Sequence, residues 1–333
     1  MKGVSQKMRG ANQKLKLLYL KQFFEEKTDE QHPATMKDIL KYLEQHEVDA
    51  ERKSIGTDLD ALEQFGVPVR DKDMLRNKKY YLQERTFKPS EVKMILDSVA
   101  SSKFLTEKKS LELMKKLGTL VNEHHRHELN RQVKVAGRVK SMNDKTTEVM
   151  DHIHAAMTAN TTVRFKYFHY NMNKEREFTR DGKYYEVSPW ALIFDNSYYY
   201  LLAVVDDDIR TFRADRMAAT HAGTKKRQGK ELFEAFDIGK FTKSTFGMFT
   251  GKEEKVEMVF HNSLIDTVID KFGKEVWLSP VDNYHFKITV PVAVSPQFFG
   301  WIFGLGGKAT IVGPKAVVKK MKDMLGSVSE RYE

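Results

Sequence analysis

Residues 187–217 read VSPWALIFDNSYYYLLAVVDDDIRTFRADRM. The stretch consists of β-branched and aromatic runs of strand length, with Asp206–Asp208 as a hairpin turn, and it predicts antiparallel strands. Just upstream, VRFKYFHY (163–170) has a period of two, so Arg164 and Lys166 share one strand face while Val163, Phe165 and Tyr167 share the other. Arg213 and Arg216 stand three apart at the end of a later strand, beside Asp215, and Tyr198, Tyr199 and Tyr200 add aromatic edges. Arginine and tyrosine converging on one sheet face make a cleft for an anionic, planar ligand such as a nucleotide or a short single strand. The competing reading is an ordinary half-exposed sheet held by Arg–Asp pairs.

On the N-terminal side the period is helical. Residues 12–26 place Leu15, Leu18, Tyr19 and Phe23 on one stripe, with Asn12 as the expected cap. After Pro33, Met36, Ile39, Leu40 and Leu43 form a second stripe. A third helix is predicted from Asp49, its expected cap, to Phe65, with Ile55, Leu59 and Leu62 inward and Gly66 at the left-handed position that ends a helix. Two short strands follow, Val67–Arg70 and Lys79–Leu82, joined by the basic turn DKDMLRNK. Three helices and a hairpin are the order of a winged helix-turn-helix, whose third helix enters the major groove of duplex DNA. Its exposed first turns carry Arg52, Lys53, Ser54 and Thr57, with Gly56 permitting close backbone approach. These four, with Lys14 from the N-terminal arm and Lys78 and Lys79 from the wing, are the expected DNA contacts.

Residues 88–142 lack strand character. Val92, Ile95, Leu96 and Val99, then Leu111, Met114, Leu117, Leu120 and Val121, fall at helical spacing. Residues 226–252 show little periodicity and read as a partly packed linker, while 253–333 alternates strand and helix. The predicted organisation is therefore multidomain α+β, with a winged helix-turn-helix at 1–87, a helical connector at 88–142, a β-rich sensing domain at 143–225, a linker at 226–252 and a small α+β domain at 253–333.

Composition narrows the classes. The chain has 333 residues, 41% hydrophobic and 11% aromatic, enough apolar side chain to fold rather than remain disordered. It has no cysteine, which excludes disulfides, thiol catalysis and thiolate zinc sites. No apolar run is long enough to span a membrane, so a cytoplasmic, nucleoid-associated protein without a membrane partner is expected. The net charge of +10 suggests a polyanionic partner. Residues 1–87 carry 17 basic and 15 acidic groups, 88–142 carry 12 and 6, 143–225 carry 11 and 12, and 226–333 carry 16 and 13. Lys2, Lys7, Arg9, Lys14, Lys16 and Lys21 all precede the first acid.

Other motifs carry less. His124 and His127 have an i, i+3 spacing usable by a metal, but a solvated helix surface fits better, and no metal is expected. GLGGKAT (304–310) fails as a phosphate loop, because Ile302 stands where the first glycine belongs and Ala309 where a hydroxyl is needed. No nucleophile, base and oxyanion donors assemble, so neither catalysis nor a cofactor is expected.

The opening stretch also resembles the WYL domain of bacterial transcription regulators, through Val187, Pro189, Leu192, Tyr200, Leu201, Arg210, Phe212, Arg213, Asp215 and Arg216. Tyr199 replaces the tryptophan of the namesake triplet, and Asn196–Ser197 stand where a glycine-bearing turn is common, which alters the pocket edge. SIGTDLDALEQFG (54–66) is similar to the winged helix of such regulators, and FGMFTG (246–251) with the tail after it to their C-terminal extension. The resemblance implies a homodimeric DNA-binding regulator whose Sm-like WYL domain senses a nucleotide or nucleic acid. Arg213 and Arg216 would contact the ligand, with Tyr167, Ser188 and Tyr199 nearby and Arg164 and Lys166 on the same sheet. An alternative is a single-stranded nucleic-acid-binding accessory protein of a defence or repair system.

Overall fold

The computed structural model describes residues 12–72, 78–133, 135, 137, 139–249 and 251–333. Lys2, Lys7, Arg9 and the wing turn at 73–77 lie outside the described residues. The chain divides into two compact units between residues 144 and 145. The architecture is the multidomain α+β arrangement predicted.

The first unit opens with α1 (Lys16–Lys27), β1 (Ala34–Thr35), α2 (Met36–Gln45), α3 (Arg52–Gln64), β2 (Val69–Lys72) and β3 (Lys79–Leu82). The strands form an antiparallel sheet in the order β1-β3-β2, the wing of a winged helix. Its core is Leu20, Phe23, Phe24, Ile39, Leu43, Ile55 and Leu62. Thr35 caps α2 in a reciprocal box with Asp38, satisfying two backbone donors at the helix start. Three expectations shift. Asn12 has φ 66° and makes no capping bond; a short 3₁₀ turn, Gln13–Leu15, precedes α1 instead. Asp49 is not the cap of α3, which begins after Glu51. The apolar stripe of α1 is also displaced, with Leu20, Phe23 and Phe24 buried and Leu15 and Leu18 exposed. The contiguous run Leu17–Leu20 fits two helical faces, and packing against α2 selects one. Gly66 does take the left-handed conformation, at φ 90°.

The connector adds α4 (Pro89–Ser101), α5 (Glu107–Leu117) and α6 (Glu123–Gln132) around Val92, Leu96, Val121 and Leu129. Leu111 and Leu120, expected inward, are exposed. Part of the basic excess here is structural. Lys140 Nζ donates to the carbonyls of Val99 (3.2 Å) and Ser102 (2.9 Å) at the end of α4, and Arg126 Nε donates to the Gly118 carbonyl (2.9 Å).

A polar knot ties α6 to the loop after α1. Asn122 caps α6 by accepting from the His125 N–H, and its Nδ2 donates to the Thr28 carbonyl and to Asp29. Asp29 also accepts from the His32 backbone and ring and from Gln31, and His32 stacks on His124 with centroids 3.8 Å apart. Burial pushes the Asp29 carboxyl up, but the bonds from Asn122, His32 and Gln31 outweigh it and hold the group at about 2. A folded-state value below the unfolded one stabilises above the unfolded value and is lost as pH falls through the folded one. Asp29→Asn is therefore expected to remove on the order of 1 kcal/mol at neutral pH. The deficit should disappear near pH 2 in urea unfolding across the acid range.

The second unit begins with α7 (Thr146–Thr158), followed by β4 (Thr161–Tyr170), β5 (Arg176–Phe178), β6 (Tyr185–Asp195), β7 (Tyr198–Val205), β8 (Asp208–Arg213) and β9 (Met217–Lys226). The antiparallel sheet runs β5-β4-β6-β7-β8, with β9 also on β4. Phe165 of β4 and Phe212 of β8 have centroids 5.3 Å apart although two strands separate them in the sheet. With strands spaced at about 4.8 Å, a flat sheet forbids this contact, so the sheet curls on itself. The core is Val163, Phe165, Val187, Leu201, Ala203, Phe212, Ala214 and Met217, closed by Val149 and Ile153 of α7.

Residues 226–252, read as a linker, carry α8 (Lys230–Glu234) and α9 (Ile238–Ser244), too short to show a period. Then come β10 (Glu253–His261), α10 (Ile265–Phe272), β11 (Ser279–Pro280), β12 (His285–Ala293), α11 (Pro296–Gly304), β13 (Ala309–Gly313) and α12 (Lys315–Ser329). The sheet order is β11-β12-β10-β13, and Phe246 joins the core of Val256, Met258, Phe260, Ile288, Phe298 and Ile302.

Candidate ligand site and nucleic-acid interface

The sequence RADR (213–216) folds into a 3₁₀ turn at Ala214–Arg216. Ala214 is fully buried in the sheet core and pins the turn, and the turn brings Asp215 back onto Arg213. Arg213 Nε and Nη2 donate to the two Asp215 oxygens at 3.1 and 2.9 Å, and Arg216 Nε lies 3.9 Å from the same carboxylate. Asp215 is 7% exposed at its side chain, while Arg213 and Arg216 keep 27% and 26% open. Two guanidiniums on one buried carboxylate leave a single net positive charge facing outward, in planar groups suited to phosphate or carboxylate. The Arg213 guanidinium lies 3.6 Å from the Tyr198 ring centroid, and that of Arg216 lies 4.6 Å from Tyr170. Burial lowers the Arg213 pKa, but the bonds and charge of Asp215 outweigh it and the net direction is upward. Tyr167 Oη accepts from the Arg213 backbone N–H at 3.2 Å, and burial pushes that phenol up.

Arg164 and Lys166 occupy the same strand, with Arg164 5.0 Å and Lys166 5.3 Å from the Tyr184 ring centroid. Lys166 also lies 5.8 Å from Phe178, and Arg176 stacks 4.7 Å from Phe168. The Arg164 Nε is buried without a hydrogen-bond partner. Cations alternating with aromatic faces are what a stacked, charged ligand needs. The adjoining loop is strained: Arg180, Asp181 and Gly182 all have left-handed φ, at 54°, 52° and 72°. Thr179 anchors it by donating to the Tyr167 carbonyl at 3.0 Å.

Of the sequence-predicted ligand residues, the structure thus groups Arg213, Arg216 and Tyr167, and places Arg164 and Lys166 together further along β4. Tyr199 lies apart. Tyr200 is the register partner of Arg213, so by strand alternation Tyr198 shares the Arg213 face, while Tyr199 packs toward the core and Phe194. Ser188 is buried, and its Oγ accepts from the Gln228 N–H at 2.9 Å, a tie between β6 and the chain after β9. Tyr170, Tyr184 and Phe178 were not singled out from the sequence, and Tyr198 was expected only as one of three aromatic edges, not as a named ligand contact. Only Tyr198 had a usable signal, its two-residue offset from Tyr200.

On α3, Arg52, Lys53 and Thr57 are exposed, and open space surrounds Gly56. Ser54 is half-buried, its hydroxyl donating to the Glu51 carbonyl at 2.9 Å. Asp58 is spent within the domain, 2.7 Å from Lys16 of α1. Lys14 is exposed and Lys79 half-buried, whereas Lys78 pairs with Asp71 at 2.7 Å. Among the described residues no helix is long and apolar enough to cross a membrane.

These elements define a protein with a winged helix and a curled sheet bearing an arginine–carboxylate–arginine site. The WYL domain model matches residues 148–222 and the WCX domain model residues 252–328. The chain thus carries a WYL domain followed by a WCX domain. Among solved structures it is similar to proteasome accessory factor B/C (PafBC) of Arthrobacter aurescens, at 16% identity and a TM-score of 0.27, covering 94% of this chain and 46% of that one. It is also similar to a CRISPR Cas-related protein, at 12% identity and a TM-score of 0.36, covering 100% of this chain and 87% of that one. The chain thus spans under half the length of the first of these. No curated protein matches it.

Proposed function

We propose that the protein is a sequence-specific, duplex-DNA-binding transcription regulator of the cytoplasm. In this reading it works as a homodimer, with residues 1–87 as reader, 88–142 as connector, 143–225 as sensor and 253–333 as the C-terminal domain after the 226–252 segment. The observation that carries the reading is a winged helix with exposed, unburdened Arg52, Lys53 and Thr57 in the same chain as the Arg213–Asp215–Arg216 site. Arg52 and Lys53 address base edges and phosphates, Thr57 and Lys14 the flanking backbone, and Lys79 the wing side. A nucleotide or short nucleic acid settles its phosphate on Arg213 and Arg216 and stacks on the neighbouring tyrosines. Its binding energy then biases the reader between two arrangements, a coupling that works equally in both directions.

A salt titration on duplex DNA selected from a random pool tests the reading. Each phosphate neutralised contributes a slope of about −0.9 in log affinity against log salt, so four to six contacts should give roughly −4 to −5. A flat line would sink DNA binding by the winged helix. The cation–aromatic row along β4 favours a second reading, that of a single-strand-binding accessory protein. Tighter binding to short single strands than to any selected duplex would favour that one.

A further inference from the structure

The strand β7 has an interior on both sides. Its residues from Tyr200 to Val204 are all buried, and in a strand successive side chains face opposite ways. Leu201 and Ala203 belong to the core closed by α7, so Tyr200, Leu202 and Val204 are buried on the other face. An antiparallel sheet commonly leaves that second face to water, and here something covers it.

The cover is the segment after β9. Gly229 lies against Val204 with φ 80°, and a Cβ there would come within 2.7 Å of both Val204 methyl carbons. Only glycine fits so close an approach. Just before it the chain is fastened to β6 and to the turn after α7. The Arg227 guanidinium donates to the Pro189 carbonyl (3.1 Å) and to the Asn160 side chain (2.7 Å). The Gln228 N–H donates to Ser188 Oγ, and the Gln228 carbonyl accepts from the Trp190 ring, both at 2.9 Å. Trp190 is the extra residue of a bulge, since Pro189 and Ala191 pair with consecutive residues of β7. Its ring meets the Arg227 guanidinium (4.0 Å) and stacks on Phe233 of α8 (5.3 Å).

From Phe233 the rings continue through Phe236 (6.3 Å) to Phe241 of α9 (5.1 Å). The far end is fastened to the C-terminal domain. Lys271 of α10 donates to the Thr245 carbonyl at 2.7 Å, and Phe246 packs on Phe298 and Trp301 of α11 at 5.3 and 5.2 Å. The next turn comes back to the sensing sheet, where the Asn196 side chain between β6 and β7 stands 3.9 Å from the Cβ position of Gly247.

We infer that residues 227–249 are a splint rather than a linker. They close a second apolar layer on the sensing sheet and join it to the C-terminal domain, so that the two open and move as one body. Arg213 is the register partner of Tyr200 and stacks on Tyr198, at the outer end of the same covered face. Under the proposed function a ligand seated there carries the C-terminal domain with it, while the splint itself needs no ligand.

Hydrogen exchange of the full chain, read by mass spectrometry over a series of sub-denaturing urea concentrations, tests the splint. The slowest amides of β7 and of β10 should share one opening free energy and one urea dependence. Gly229→Ala should part them, with β7 exchanging at least about tenfold faster than β10. Phe233→Ala takes one half-buried ring from the splint and nothing from either core, so it should part them in the same direction even where Gly229→Ala does not fold. Leu232→Ala, exposed one residue earlier on α8, should leave them together. Different urea dependences for β7 and β10 in the wild type, or dependences that stay merged in Phe233→Ala, overturn the splint.

Discussion

The double substitution Arg52→Ala plus Lys53→Ala is expected to weaken binding to a selected operator by roughly 100-fold or more while leaving the melting temperature unchanged. A bidentate arginine on a guanine edge is worth about 1–3 kcal/mol, and a lysine on a phosphate adds a smaller, salt-dependent amount. Both side chains are exposed on α3, so their loss removes no packing inside the domain. The α3 core residues Ile55 and Leu62, and the Lys16–Asp58 pair that fastens α3 to α1, are untouched. Fluorescence anisotropy against the operator and a scrambled duplex separates the two contributions. Arg52→Ala alone should reduce the preference for the operator, while Lys53→Ala should weaken both duplexes and flatten the salt slope. Operator affinity within twofold of wild type would show that another element reads the DNA.

Asp215→Ala is the second large effect. It leaves Arg213 and Arg216 facing each other without their shared carboxylate, one of them stacked on Tyr198 and both mostly withdrawn from water. Breaking a buried pair by removing one partner costs about 3–5 kcal/mol, and the partial exposure of both arginines brings the expected loss to about 2–3 kcal/mol. Urea unfolding should show a lower midpoint with an unchanged slope. The buried Ala214 beside it should keep the strand register, so the lesion is electrostatic rather than a collapse of the sheet. A shift below 0.5 kcal/mol would mean that water replaces the carboxylate, about the size of an ordinary surface change.

Much of the fold was legible because it rests on local periodicity. The Met36–Leu43 stripe, the Gly66 helix end and the alternation of Arg164 and Lys166 with core residues each depend on neighbours within one element. The caps at Asn12 and Asp49 misled because a capping residue is defined by where its helix begins, and a long-range bond such as that from the Gln13 side chain to the Asp49 carbonyl is not recorded in local spacing. The 226–252 segment was opaque for a related reason. Helices of five and seven residues are too short to show a period, and their stability comes from packing.

The candidate site divides the same way. The sequence by itself determined that Arg213, Asp215 and Arg216 stand within four residues at the end of a strand and that Arg164 and Lys166 share a face, since both follow from spacing along the chain; the turn that folds Asp215 back onto Arg213 came from the structure. Only the tertiary structure decided which aromatic rings those cations meet. The curl that brings β8 back over β4 puts Tyr167 against the Arg213 N–H, and strand pairing gives Tyr198 rather than Tyr199 to the arginine face. Ring–cation contacts cross strands far apart in the chain, and neither composition nor periodicity records which strands become neighbours.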